Sequence, residues 1–156
     1  MTDRTPLTLV IHATTDADLP GIHKAIAAAG LEDYFPDLLN GPVPGETYTV
    51  EELDIVGGVE HNSLAEDLAA HAPHTTFELR HGQHYAHDGH YAAYVPGHPL
   101  YLTTCDADGD PQTPTDEVTQ HLKMAPATMT VEMWLTIHGP DILGTHVRTA
   151  LERYRT

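Results

Sequence analysis

The sequence predicts one acidic α+β domain over residues 1–156, with a mixed or mainly antiparallel sheet and helices packed mostly on one face. Three observations predict it. The chain has 156 residues, the size of one ordinary domain and enough to bury a core without covalent staples. β-prone runs crowd residues 75–105 with no helical stretch between them, which argues against a purely alternating doubly wound sheet. Apolar stripes at helical spacing occur near both ends of the chain. The element order reads roughly βαβαβββαβα.

The first strand is Leu7–His12, a short apolar run of the kind that is buried in a sheet. Asp16 to Leu19 carry helix-start signals, and Pro20 fits a first turn. Leu19, Ile22, Ile26 and Ala29 then form one stripe, and Gly30 suits a left-handed cap. Residues 36–47, with Pro36, Gly41, Pro42, Pro44 and Gly45, read as a loop. A strand is expected from Thr47 to about Val56, ended by Gly57-Gly58. Ser63-Leu64-Ala65-Glu66 has the pattern of a capping box before a short helix ending near Ala72. Phe77 and Leu79, Tyr91–Val95 and Leu100–Thr104 are strands, the last two joined by Pro96-Gly97-His98-Pro99. Pro114, Asp116 and Glu117 open a further helix that Ala125-Pro126 ends. Met129, Val131, Met133, Leu135 and Ile137 alternate with Thr130, Glu132, Trp134 and Thr136, a period of two that predicts a strand. Trp134 on the polar side opposes that reading. Gly139-Pro140 starts the last helix, whose stripe is Ile142, Leu143, His146, Val147, Ala150, Leu151 and Tyr154.

Composition restricts function. The 23 acidic and 7 basic residues give a formal charge of −16. Such a surface repels phosphate backbones and anionic membranes, so neither direct nucleic-acid binding nor membrane association is expected. It permits the reverse: a carboxylate surface that imitates DNA and occupies a basic groove. No segment has the apolar length of a membrane span, and the first residues lack the pattern of a signal peptide. A single cysteine excludes an intramolecular disulfide and fits a reducing cytoplasm. Abundant Ala, Thr, Asp, His and Pro with two lysines point to a GC-rich genome, with a salt-adapted source as the alternative.

The residues that suggest chemistry crowd one stretch. His81, His84, His87 and His90 recur every third position, and His98 follows. Imidazoles bind zinc, nickel or copper when they converge on one point. A spacing of three gathers side chains on one face only in a helix or a 3₁₀ turn, so a strand here would split them. Asp88 is placed to orient a ring. The competing reading is a set of exposed loop histidines. Next comes Asp106-Ala107-Asp108-Gly109-Asp110, with Glu117 at the twelfth position counted from Asp106. Oxygen ligands at positions 1, 3, 5 and 12 resemble an EF-hand calcium loop. Pro111 stands where that loop needs glycine, and a strand precedes where it has a helix. Solvated carboxylates around an Asp-Gly turn explain the segment as well. The metal candidates are therefore His84, His87, His90, Asp106, Asp108, Asp110 and Glu117, with zinc or calcium as the ions and no other cofactor expected.

Cys105 ends an apolar strand beside Asp106, whose charge opposes thiolate formation, so a buried small side chain is expected there and not a nucleophile. Gly57 to Asn62, between a strand and a helix, lacks the phosphate-loop lysine and the dinucleotide-binding glycines and reads as a turn. Tyr85, Tyr91, Tyr94 and Tyr101 with Trp134 offer an aromatic contact patch if exposed, or sheet packing if buried.

Phe77-Glu78-Leu79, Tyr91 to Gly97 and Cys105 to Gly109 together resemble small acidic uncharacterised proteins of actinobacteria and of their phages and plasmids. The resemblance covers a small part of the chain and implies an accessory role without an activity. With no complete catalytic motif present, the leading expectation is a non-enzymatic binding or regulatory protein that engages a protein partner through its acidic, tyrosine-bearing surface, a DNA-mimicking inhibitor in its sharpest form. The alternative is a metal-binding protein or metal-dependent enzyme that uses the His81–His98 region with Asp106–Asp110. Edge strands and tyrosines offer a route to a homodimer.

Overall fold

The computed structural model describes residues 5–53, 58–82 and 89–155. Its strands are β1 (Thr5–Ala13), β2 (Thr47–Leu53), β3 (Thr76–His81), β4 (Gly89–Tyr94), β5 (Tyr101–Cys105) and the short β6 (Pro111–Gln112). They form one sheet in the order β2-β1-β3-β4-β5-β6. Every pairing is antiparallel. The helices are α1 (Leu19–Ala28), α2 (Pro36–Asn40), α3 (Gly58–His71), α4 (Thr115–Met124), α5 (Val131–Ile142) and α6 (Thr145–Leu151). The fold is α+β with an antiparallel sheet, as the sequence predicts.

The alternation of side chains along the strands gives the sheet two faces. Leu7, Leu9 and Ile11 of β1 lie opposite Leu79 and Phe77 of β3 and Tyr48 and Val50 of β2 on one face. Helices α1, α2 and α3 cover that face with Ile22, Ile26, Leu38, Leu64 and Leu68, all buried. The close crossing of α1 and α3 requires Gly21, because a Cβ there would sit 1.8 Å from the carbonyl oxygen of His71. The opposite face carries a second cluster. Tyr91, Ala93, Tyr101 and Cys105 pack there against Val147, Ala150 and Leu151 of α6.

Several local expectations change. Residues 36–47 hold the short helix α2 as well as loop. Helix α3 begins at Gly58, five residues before the Ser63 pattern, so that pattern lies inside the helix and caps nothing. Residues 129–137 are not a strand. Thr130 caps α5, its Oγ1 accepting a hydrogen bond from the Met133 N–H (3.1 Å). The alternation was misleading because the period-two residues are not the buried ones. Trp134 and Ile142 are buried, His138 between them is half-buried, and all three fall four apart on one side of the helix. Val131, Met133, Leu135 and Ile137 stay exposed. Pro140 lies inside α5, and α6 starts after it, at Thr145 behind a left-handed Gly144.

Candidate functional site

The most concentrated polar chemistry lies on the α6 face of the sheet, around Glu78. Glu78 alternates with core residues Phe77 and Leu79, so it points away from the main core, yet it is only 3% exposed. Four donors meet it. His12 donates through Nε2 to Oε2 at 2.7 Å. Tyr91 donates its hydroxyl to Oε1. Arg155 donates through Nη2 to Oε1 at 2.7 Å, and Arg80 Nη2 stands at 3.4 Å from the same oxygen. The strands position these groups. Glu78 is registered opposite Val10 and Ala93, and Tyr91 sits two pairs further along on the same face, opposite Arg80. His12 falls in a register shift between Ile11 and Ala13, and such bulges re-aim a side chain. The Tyr154 ring lies 5.6 Å from the His12 ring, so the residues after α6 close the cluster from above.

The electrostatics follow from that packing. Burial alone would raise the Glu78 pKa, but hydrogen bonds from His12, Tyr91 and Arg155 and the Arg155 charge outweigh it and hold the carboxyl down at about 2. Burial, with the Glu78 charge behind it, pushes the Tyr91 phenol far up, so it stays protonated and donating. Glu78 is thus a fixed anion with its lone pairs occupied.

A second buried carboxylate is a clasp. Asp18 accepts from the His74 N–H (2.7 Å), His74 Nδ1 (3.1 Å) and Thr75 Oγ1 (2.8 Å). It joins the turn before α1 to the turn before β3. Burial raises its pKa, yet these bonds leave it lowered overall.

The sequence-predicted metal residues fall in several places. His84 and His87 lie outside the described residues, as do Asp88 and Tyr85. His81 and His90 are cross-strand partners whose rings stack with centroids 6.4 Å apart. His98 stands instead beside His146 of α6, at 6.1 Å. Asp106 uses its carboxylate within its own turn. Its Oδ1 accepts from the N–H groups of Asp108 (3.0 Å) and Asp110 (2.9 Å), and its Oδ2 accepts from Gln112 Nε2 (3.1 Å). Pro111 belongs to β6, opposite Cys105, and Glu117 is exposed in the first turn of α4. Among the described residues, no group of three or more His, Cys, Asp or Glu is arranged to hold a metal ion. The acidic turn lies against the Glu78 cluster instead: a Cβ on Gly109 would meet Arg80 Cδ at 3.2 Å, and the Asp110 charge acts on Arg155.

Cys105 is buried, with Sγ near the carbonyl oxygens of His90 (3.5 Å) and His81 (3.7 Å). Burial first, then the Asp106 charge, push its thiol up to about 11. The expected tyrosine patch does not form from Tyr91 and Tyr101, which are buried, or from Tyr94, which is half-buried and donates to the Pro73 carbonyl (3.2 Å). Trp134 is buried too.

The exposed apolar surface lies elsewhere. Of nine large apolar side chains exposed among the described residues, six are on α4 and α5: Leu122, Met124, Val131, Met133, Leu135 and Ile137. Helix α4 has no buried residue. A groove of about 280 Å³ runs between Glu132, Met133, Thr136 and Ile137. A cleft of about 200 Å³ lies where the end of α4 meets the start of α5, floored by Trp134 and lined by Leu122, Met129 and Val131. Sequence reasoning missed both features. Glu78 looked like an outward residue of an alternating strand, and the α5 residues looked like a strand's core face. A signal for the second existed, because every methionine after Met1 (Met124, Met129, Met133) falls in this unit.

Comparison with protein families, with curated proteins and with solved structures finds no match to this chain. Among the described residues, no helix is long and apolar enough to cross a membrane.

Proposed function

We propose that this protein is a non-enzymatic binding module whose α4–α5 unit docks a cationic amphipathic segment of another protein. One observation carries the reading: the exposed large apolar side chains concentrate on two consecutive helices that contribute little to either core cluster. Solvent-facing apolar surface of this kind marks interaction sites. Three methionines in it favour an adaptable contact, since the unbranched thioether repacks around different shapes.

Charge selects the partner. Asp116, Glu117, Glu132 and Asp141 flank the apolar residues, and Lys123 is the one lysine or arginine on the two helices. The chain as a whole carries −16. A partner helix with an apolar stripe and basic flanks meets both demands, burying its stripe in the groove beside Glu132 and pairing its cations with the rim. The fully acidic DNA mimic expected from composition is a narrower form of the same idea, in which the partner's basic surface normally binds nucleic acid.

The test is a calorimetric titration with a synthetic leucine/lysine amphipathic helix and its leucine/glutamate counterpart. The lysine peptide is expected to bind with an affinity that falls as salt rises, and the glutamate peptide is expected not to bind. Met133→Glu with Ile137→Glu, both lining the groove, is expected to abolish binding. Equal binding by that variant would refute the reading.

A further inference from the structure

We propose that the socket around Glu78 is a recognition site for an aromatic–arginine pair, filled in this chain by its own Tyr154 and Arg155 and open to the same pair on another polypeptide. Strand residues build the rest of the socket. His12, Tyr91 and Arg80 all reach the Glu78 carboxylate, which is 3% exposed with Tyr154 and Arg155 in place. The occupant comes from a single 3₁₀ turn, Glu152–Tyr154, followed by Arg155. Its contacts are those of a ligand: the Arg155 guanidinium on Glu78 Oε1 at 2.7 Å and the Tyr154 ring over the His12 ring. The occupant is also exchangeable, because Arg155 is 48% exposed and Tyr154 38% exposed while the carboxylate they cover is buried.

The chemistry specifies the ligand. With Arg155 withdrawn, the carboxylate would lose its closest arginine partner, leaving Arg80 at 3.4 Å, and a poorly paired buried charge is costly. The groups facing it from every packed element are His12, Arg80, Tyr91 and Arg155, with Asp110 on the rim. A guanidinium fits better than an ammonium. It is weakly hydrated, planar and able to donate to Glu78 while its charge is also drawn by Asp110. Tethering gives the chain's own pair a high effective concentration, so a partner's pair enters readily only when the tether contact is weakened.

The test uses the full chain carrying Tyr154→Ala with Arg155→Ala, and three probes at matched ionic strength: N-acetyl-Tyr-Arg-amide, N-acetyl-Tyr-Lys-amide and ethylguanidinium. The arginyl dipeptide is expected to raise the thermal midpoint saturably, at concentrations at least tenfold below those needed of the lysyl dipeptide or of ethylguanidinium, and to leave the wild-type midpoint unchanged. Equal effects of the arginyl and lysyl probes, or none beyond that of sodium chloride, would overturn the proposal. Ethylguanidinium acting as well as the dipeptide would overturn its aromatic half. If the double variant does not refold, Arg155→Lys takes its place, and the same ranking of probes is required of it.

Discussion

Glu78 shows how a single residue can decide the balance of one face of the sheet. Its pKa, near 2 instead of the ordinary 4.5, is lowered by folding. A depressed carboxyl contributes stability that is present above its unfolded value and lost as pH falls through its folded value. The window is therefore about pH 4.5 down to about 2. With allowance for the half-exposed Arg155, the contribution is about 2–3 kcal/mol. Asp18, also lowered, acts in the same direction. Urea unfolding of Glu78→Gln between pH 2 and pH 7 is expected to show that loss at neutral pH and a shallower acid limb. An acid limb as steep as that of the wild type would assign the effect to other carboxyls. Cys105 gives a second residue-scale prediction. With its thiol at about 11 and buried, iodoacetamide at pH 8 is expected to leave it intact in the native protein and to alkylate it rapidly in denaturant, as mass spectrometry would show.

Helices α5 and α6 owe their arrangement to local geometry that can be broken one residue at a time. Gly144 holds φ at 59°, and a Cβ there would come within 2.5 Å of the Tyr101 ring. Gly144→Ala is expected to cost about 2 kcal/mol or more, read as a lower denaturation midpoint. Val131→Glu and Leu135→Glu, by contrast, are expected to change stability by less than about 0.5 kcal/mol, because both side chains already face solvent. A large loss in either would mean that α5 is packed by those residues. The same helix marks the limit of what the sequence reveals. The strands of the main core were legible because Leu7, Leu9, Phe77 and Leu79 are buried on the face their alternation implies. Helix α1 was legible because Ile22, Ala25 and Ile26 face the core at helical spacing. Helix α5 was not, because its apolar residues are exposed and only the spacing of Trp134 and Ile142 reports burial. The Glu78 cluster was illegible for another reason. Its members come from β1, β3, β4 and the segment after α6, and only the strand order brings them together.

At the scale of the whole molecule, an acidic α+β body presents a neighbouring pair of helices whose apolar side chains are left uncovered. Charge −16 sets the long-range field, and the α4–α5 unit supplies the short-range contact. Affinity for a cationic probe is therefore expected to fall as ionic strength rises, and a flat salt profile would separate binding from the net charge. The most direct test of the docking surface is the pair of methionine ¹³C-methyl and backbone ¹⁵N-amide spectra of doubly labelled protein during titration with the leucine/lysine helix. The account predicts that the Met124, Met129 and Met133 methyl signals shift saturably while Val147 and Leu151, beneath the Glu78 face, keep their amide shifts. Unmoved methionine methyls with bound peptide, or shifts centred on α6, would contradict it.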